Sequence, residues 1–386
     1  MWISCGYLVE IKLLFVFLAN LMYTTIMDMQ LTQRLDKIEE ILNRALPEHT
    51  NSNWQNISFG ELKTCITDEH LTNLITPNKN LITLGGKRWR PLFLILCYEM
   101  AKKLSSVSTA KASTAAAAFT ALTEDQAYSL TPLVEFVHTA SLIHDDIEDS
   151  ADLRRGKPAA HITYGLDTAL NAATWLYFEA PVCINSLEAD EKTKLRLYQI
   201  YTNELRRLHL GQAMDIYWHK NPSAFPTQEQ YTSMVKCKTG TLASLAAKIG
   251  CTTGGLDQKA SDDYGKIAAE IGIGFQIIDD VINLTTGNAG KKRGDDIVEG
   301  KKSLPVLLHV QSKPNDKSKI AELMETAAKE GIDSPAVETC ISLLQTSNCI
   351  EAAAVQGRDL ILKNCKLFDS ELIKELFTAM IPKKFI

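Results

Sequence analysis

The stretch 134–149, VEFVHTASLIHDDIED, carries an apolar helix that ends in a run of carboxylates. On a helix, Asp145 and Asp149 fall on one face one turn apart, with Asp146 at its edge. Like charges that close repel unless a cation sits among them. Mg²⁺ suits such a place, because it takes a few carboxylate and water oxygens and shares its remaining positions with phosphates. A second stretch repeats the pattern: FQIIDDVIN (275–283) sets Asp279, Asp280 and Asn283 at the same spacing, with Asn283 a neutral oxygen ligand. Acidic residues often only solvate a helix end. Both clusters, however, follow strongly apolar segments, VHTASLIH (137–144) and IGIGFQII (271–278), an odd place for a purely solvated face. Two such sets facing each other across a bundle would chelate a diphosphate through several metal ions.

Outward from these segments the pattern stays helical. LTQRLDKIEEILNRAL (31–46) puts Leu31, Leu35, Ile38, Ile41 and Leu42 on one face. The spacing predicts further helices near 59–78, 91–104, 128–149, 161–187, 190–217, 227–249, 258–284, 303–312, 316–330, 335–346, 348–364 and 369–380. No stretch shows sustained strand alternation, so the fold class is all-α, a single domain over 31–386. The Ala-, Ser- and Thr-rich stretch near 104–126 reads as a surface insertion, and 285–302 as a Gly- and Lys-rich loop. Residues 1–30 hold an apolar run, Leu13–Met27, shorter than the ~20 residues a spanning helix needs. It lacks the basic start and small-residue cleavage site of a signal peptide. It reads as an extension outside the fold, with Met27 or Met29 as a candidate start and weak membrane association as the other reading.

Cations complete the pattern. GGKRWRP (85–91) offers Lys87, Arg88 and Arg90 after a Gly pair, where backbone can approach an anion. Arg154, Arg155 and Lys157 follow the first acidic cluster, Lys238 and Thr239 lie in CKTG, and Lys291, Lys292, Lys301 and Lys302 flank the late loop. Singly, each reads as a surface charge; together they suit two diphosphates, one metal-bound and one held by bare cations. A formal net charge of -5 argues against a nucleic-acid partner. The 9 cysteines show no CxxC pair and read as reduced thiols of a cytoplasmic enzyme.

In order and approximate spacing, GGKRWRP, HDDIEDSADLRRGK, LGQAMD, KTG, FQIIDD and GDDIVEGK resemble the trans-isoprenyl diphosphate synthases, or polyprenyl synthetases, over about 31–386. The resemblance implies an isoprenoid-synthase-type helical bundle around a deep central cavity, as a homodimer. It implies a head-to-tail condensation of isopentenyl diphosphate with an allylic diphosphate (dimethylallyl, geranyl or farnesyl diphosphate). Asp145, Asp146 and Asp149 match the first aspartate-rich motif and Asp279 and Asp280 the second, together holding three Mg²⁺, with Mn²⁺ as a substitute. Arg154, Lys238, Lys292 and Lys301 match cations on the allylic diphosphate. Lys87, Arg90, His138 and Arg155 match the isopentenyl diphosphate pocket, and Phe275 an aromatic beside it. Thr239 and Gln276 match polar groups at the reaction centre, and Gln212 with Asp215 the GQxxD helix. Asn283 departs from the third aspartate of many relatives, and neither the leader nor the 104–126 stretch is a family feature.

The implied reaction ionises the allylic C–O bond by stabilising diphosphate as leaving group. The double bond of isopentenyl diphosphate attacks the cation, and a proton leaves to the departing diphosphate. Apolar walls would keep water from the cation. Chain length would depend on bulk beneath the first motif. Ser141 and Ala140, four and five residues before Asp145, are small, which favours geranylgeranyl diphosphate or a longer product. Phe136, Trp175, Tyr177 and Phe178 are candidates for the floor. A terpene cyclase would not need Lys87, Arg90 and Arg155, and its N-x-x-x-S/T-x-x-x-E motif is absent at 279–287. Head-to-head synthases do not fit GGKRWRP or KTG. A non-catalytic partner subunit would have lost more of the aspartates.

Overall fold

The computed structural model describes residues 30–109, 119–287 and 292–385. The leader, residues 110–118 and Lys291 therefore lie outside the described residues. Helix α1 (30–45) buries Ile38, Ile41 and Leu42, as its periodicity predicts. Two helices, α2 (Ser52–Phe59) and α3 (Asp68–Thr83), replace the one predicted over 59–78. Gly60, at φ 73, ends α2, and a capping box at Thr67 starts α3.

Next come α4 (Trp89–Thr109), α5 (Glu124–Ser129) and α6 (Pro132–Glu148). Pro132 cannot donate a backbone hydrogen bond, so it opens α6 and separates it from α5. The helix predicted over 161–187 is three: α7 (Ala160–Tyr164), α8 (Leu166–Glu179) and α9 (Val182–Asn185), broken at Gly165 and Pro181. Helices α10 (Glu191–His219), α11 (Gln228–Val235), α12 (Thr241–Thr253) and α13 (Gln258–Thr285) follow the prediction, with a π-helical turn, Lys236–Gly240, joining α11 to α12. A short α14 (Asp295–Val298) precedes α15 (Leu304–Ser312), α16 (Lys317–Glu330), α17 (Pro335–Gln345), α18 (Cys349–Cys365) and α19 (Glu371–Thr378). One two-residue hairpin, Leu153–Arg154 against Lys157–Pro158, was not expected. It is too short for alternation to show.

Helix α12 is the axis of the bundle, packed between α4 and α13, and α18 covers another side of α13. The approach is close because small residues line it. A Cβ on Gly250 would lie 2.3 Å from the Leu94 carbonyl oxygen of α4. At the α13–α18 crossing, a Cβ on Gly274 would lie 2.6 Å from the Gly357 oxygen. Phe93 meets Phe377 edge to face at 4.8 Å, anchoring the C-terminal α19 on α4.

The two ends of the stretch near 104–126 are described. Residues 104–109 continue α4, and Phe119 and Leu122 are buried. The Leu122 N–H donates to the Thr253 oxygen at 2.8 Å, tying the stretch to α12. Among the described residues no helix is long and apolar enough to cross a membrane, and the described cysteines are free thiols.

Glu179, the last residue of α8, is buried at 6% exposure, and its carboxylate accepts from the Ser58 hydroxyl at 2.7 Å. Burial pushes its pKa up to about 7, against that hydrogen bond. The folded state thus retains a proton that the unfolded chain releases near pH ~4.3. Stability contributed by this protonated group is lost as pH rises from there through the folded pKa. Glu179→Gln should raise Tm at pH 8, by on the order of 2 kcal/mol in stability, and should leave Tm unchanged at pH 4. A Tm gain of equal size at both pH values would refute this origin.

Candidate active site

Two helix ends face each other across a cavity of about 500 Å³. The last turn of α6 presents Asp145, Glu148 and Asp149, and α13 presents Asp279, Asp280 and Asn283. Neighbours from other elements hold these carboxylates in place. From α10, Gln212 donates to Asp145 Oδ1 at 2.7 Å and to Glu148. Lys238 bridges Asp215 at 2.7 Å and Asp145 at 3.7 Å. Lys301 reaches Asp149 at 3.3 Å and pairs with Glu299. Burial disfavours both ammonium groups, yet the facing carboxylates outweigh it and hold each pKa above its ordinary value.

On the opposite wall, Asp280 accepts from the Tyr231 hydroxyl at 2.6 Å and from Gln276 Nε2 at 3.0 Å. The Thr239 hydroxyl donates to Gln276 Oε1 at 2.8 Å, orienting the amide. Burial nevertheless pushes Asp280 up to about 6, with Asp279 adding repulsion.

Lys238 and Thr239 reach the cavity because the π-helical turn widens the chain at Lys236–Gly240. Neighbouring glycines admit that turn. A Cβ on Gly211 of α10 would lie 2.3 Å from the Lys238 nitrogen, and one on Gly272 of α13 would lie 2.7 Å from the Gly240 Cα. The GQ and KTG segments are therefore one packing unit.

A second cationic corner lies at the start of α4. Lys87, Arg90, His138, Arg155 and Phe275 line it. Arg90 donates to His138 Nε2 at 3.2 Å and lies 4.5 Å over the Trp89 ring. Burial lowers Arg90 to about 10 and, with the surrounding guanidinium groups, keeps His138 well below its ordinary value. His138 is thus neutral at pH 7, free to accept from Arg90. Arg155 donates to the Leu81 oxygen at 3.2 Å and also to that of Gly85, under the glycine pair.

Most of the residues expected from the sequence converge here; a few take other places. Asp146 is 1% exposed, does not line the cavity, and accepts from Arg154 Nε at 2.8 Å. It anchors Arg154 rather than facing the other wall. The Asn283 amide oxygen accepts from the Asp296 N–H at 3.3 Å, so it closes the late loop and brings the Asp296 side chain to the cavity. Lys292 pairs with Asp333 at 2.9 Å on the surface, away from the other cations. Ala140 is fully buried against the core, whereas its neighbour Ser141 lines the cavity. Arg88 is buried and committed to carboxylates. Glu135, Tyr231 and Asp296 were not singled out by the sequence. Glu135, one turn before His138 on the same face, had a spacing that could have marked it, and Asp296 lies in the GDDIVEGK motif.

Among the described residues no three His, Cys, Asp or Glu groups come close enough to hold a metal ion by themselves. The donor set still fits one. Asp145 and Asp149 face Asp279 and Asp280 with carboxylate oxygens only, and a hard ion would fill its remaining positions with phosphate and water.

Facing carboxylates, interleaved lysines and a separate arginine corner share one cavity of an all-α bundle. The sequence profile of the polyprenyl synthetase family matches residues 72–343. Geranylgeranyl pyrophosphate synthase 2 of Zymoseptoria tritici is 38% identical over 254 residues, 60% of this chain and 73% of that protein. Geranylgeranyl pyrophosphate synthase paxG of Penicillium paxilli is 32% identical over 63% of this chain and 64% of its own length. The crystal structure of geranylgeranyl pyrophosphate synthetase from Pyrococcus horikoshii superposes with a TM-score of 0.74 at 25% identity, covering 94% of this chain and 99% of that one. Heptaprenyl diphosphate synthase from Staphylococcus aureus shares the fold at a TM-score of 0.68 and 24% identity, over 92% of this chain and 97% of that one. The chain belongs to the polyprenyl synthetase family and is a head-to-tail trans-prenyltransferase.

Asp145 is the α6 carboxylate with both Gln212 and Lys238 beside it, on a helix whose core face lies elsewhere. Asp145→Ala should lower prenyl transfer by at least about a hundredfold while the helical circular dichroism spectrum is retained. Near-normal turnover in that variant would remove Asp145 from the machinery.

Proposed function

We propose that this enzyme makes geranylgeranyl diphosphate, adding isopentenyl diphosphate to a dimethylallyl, geranyl or farnesyl primer with Mg²⁺ bound to Asp145, Asp149, Asp279 and Asp280. The single observation that carries the reading is that acidic, basic and aromatic side chains line one cavity. His144 stacks on Tyr177 at 5.4 Å, and Tyr177 meets His209 edge-on at 5.3 Å, with all three lining the cavity.

When bound, Mg²⁺ would supply positive charge to the diphosphate as the allylic bond breaks. Lys238, Lys301 and Arg154 would bind the departing diphosphate and keep it beside the cation, where it can take the proton. Lys87, Arg90 and Arg155 would hold isopentenyl diphosphate, with neutral His138 orienting Arg90. Thr239 and Gln276 would fix the polar edge of the reaction centre. Phe275, 5.3 Å from Trp89, would exclude water between the two subsites.

Of the four aromatics considered as a floor, only Tyr177 lines the cavity. Phe136 is buried in the core, Trp175 packs on Phe59 at 5.9 Å, and Phe178 is 73% exposed. Bulk at Ala140 would overpack α6, so we assign control of length to the cavity-lining Ser141 and Tyr177. Product mass after incubation with labelled isopentenyl diphosphate and each primer tests the proposal. Geranylgeranyl diphosphate should predominate, Ser141→Phe should shorten the product, and Tyr177→Ala should lengthen it. A product profile indifferent to both substitutions would refute this floor, and no incorporation by the native chain would refute the substrate assignment.

We also propose a homodimer through α8 and α10. Leu166, Leu170 and Phe178 on α8 and Leu195, Leu210 and Tyr217 on α10 are exposed apolar groups, and the family resemblance assigns a second copy as their partner. Sedimentation should find a dimer, and Phe178→Glu should shift it toward monomer; a native monomer would exclude the interface. The free thiols are in keeping with a cytoplasmic enzyme.

A further inference from the structure

Arg88 lies in the cationic loop yet offers nothing to an anion. Its side chain is 3% exposed and every branch is engaged. Nε donates to Glu39 at 2.6 Å, Nη1 to Glu135 at 2.6 Å, and Nη2 to the Ile82 oxygen at 2.6 Å. The residue holds φ 45, a left-handed conformation that is strained for a non-glycine residue and persists where contacts over-determine it.

Two residues on, Arg90 is in the opposite situation. Its guanidinium is half-buried, donates to a neutral histidine and, among the described residues, makes no ion pair with a carboxylate. Glu135 and His138 sit three residues apart on α6, on one face. Glu135 goes to Arg88 and His138 to Arg90. The Glu135 carboxylate is also close enough to act on Arg90 and Arg155, and burial makes it reluctant to stay charged without a cation. Released from Arg88, it would turn to Arg90, since an unpaired buried charge is costly. There it would compete with any incoming diphosphate.

We propose that Arg88 is a positioning residue that sequesters Glu135, keeping Arg90 and Arg155 available to the diphosphate that binds without metal. The inference rests on the assignment of isopentenyl diphosphate to that corner. Glu39 completes the arrangement from α1, so the N-terminal helix is tied to the substrate pocket. Glu135 then has two effects: it offsets repulsion among the three arginines, and Arg88 prevents it from occupying the anion's place.

The experiment is a steady-state comparison of KM for isopentenyl diphosphate and for the allylic primer, measured separately. Arg88→Met should raise KM for isopentenyl diphosphate about tenfold or more and leave KM for the primer within about twofold. Adding Glu135→Gln should recover most of the lost affinity, because the competing charge is gone. A purely structural Arg88 would change both constants together, or show no recovery in the double variant, and either result overturns the proposal. Should Arg88→Met not fold, Arg88→Lys keeps a cation but cannot span three acceptors. It should show the same one-sided rise, smaller and again reversed by Glu135→Gln, and unchanged constants would overturn the proposal equally. A native enzyme that incorporates no isopentenyl diphosphate would instead defeat the functional reading on which this one rests.

Discussion

Everything in this bundle is arranged around carboxylates that repel one another from two facing helix ends. Unit charges 4 Å apart interact by roughly 4 kcal/mol near a protein surface, and more as water is excluded. Such a cluster persists only with counter-charges at fixed positions. Lys238 between Asp145 and Asp215, Lys301 beside Asp149 and Glu299, and Arg154 on Asp146 provide them. In the proposed function the same cations would grip a leaving diphosphate. Asp280 instead relies on Tyr231 and Gln276, and burial pushes its pKa up.

Placing these groups requires helices to approach more closely than ordinary side chains allow. Gly211 and Gly272 let α10 and α13 press on the π-helical turn, and that turn aims Lys238 and Thr239 inward. Gly250 does the same for α4 against α12. The packing and the site are therefore coupled: a methyl group at Gly211 would displace the backbone that carries Lys238 into the cavity. The arginine corner depends on packing of another kind, in which α1 contributes Glu39 and α6 contributes Glu135 to a single buried guanidinium.

Much was legible from residue order. The apolar run into DDIED, the matching FQIIDD and the helical periodicity between them point to an all-α bundle with two acidic walls. Local spacing suffices there, because residues one turn apart must share a face. Helix breaks were less legible. Gly165 and Pro181 split a segment whose apolar pattern runs straight through them, and Pro132 separates α5 from α6. Tyr231, which holds Asp280 from α11, left no trace in the sequence, since nothing near Tyr231 marks it as the partner of a residue so distant along the chain.

The sequence by itself determined the helical class, the two carboxylate clusters and the stock of cations, because all three follow from residue type and short-range periodicity. Only the tertiary structure decided how those charges are divided. Asp146 turns to Arg154, Asn283 to the Asp296 backbone, Lys292 to Asp333 at the surface, and Arg88 to Glu39 and Glu135. The physical reason is that an ion pair depends on distance through space. Which of several equivalent basic residues meets which carboxylate is settled by how the helices cross, not by their order along the chain.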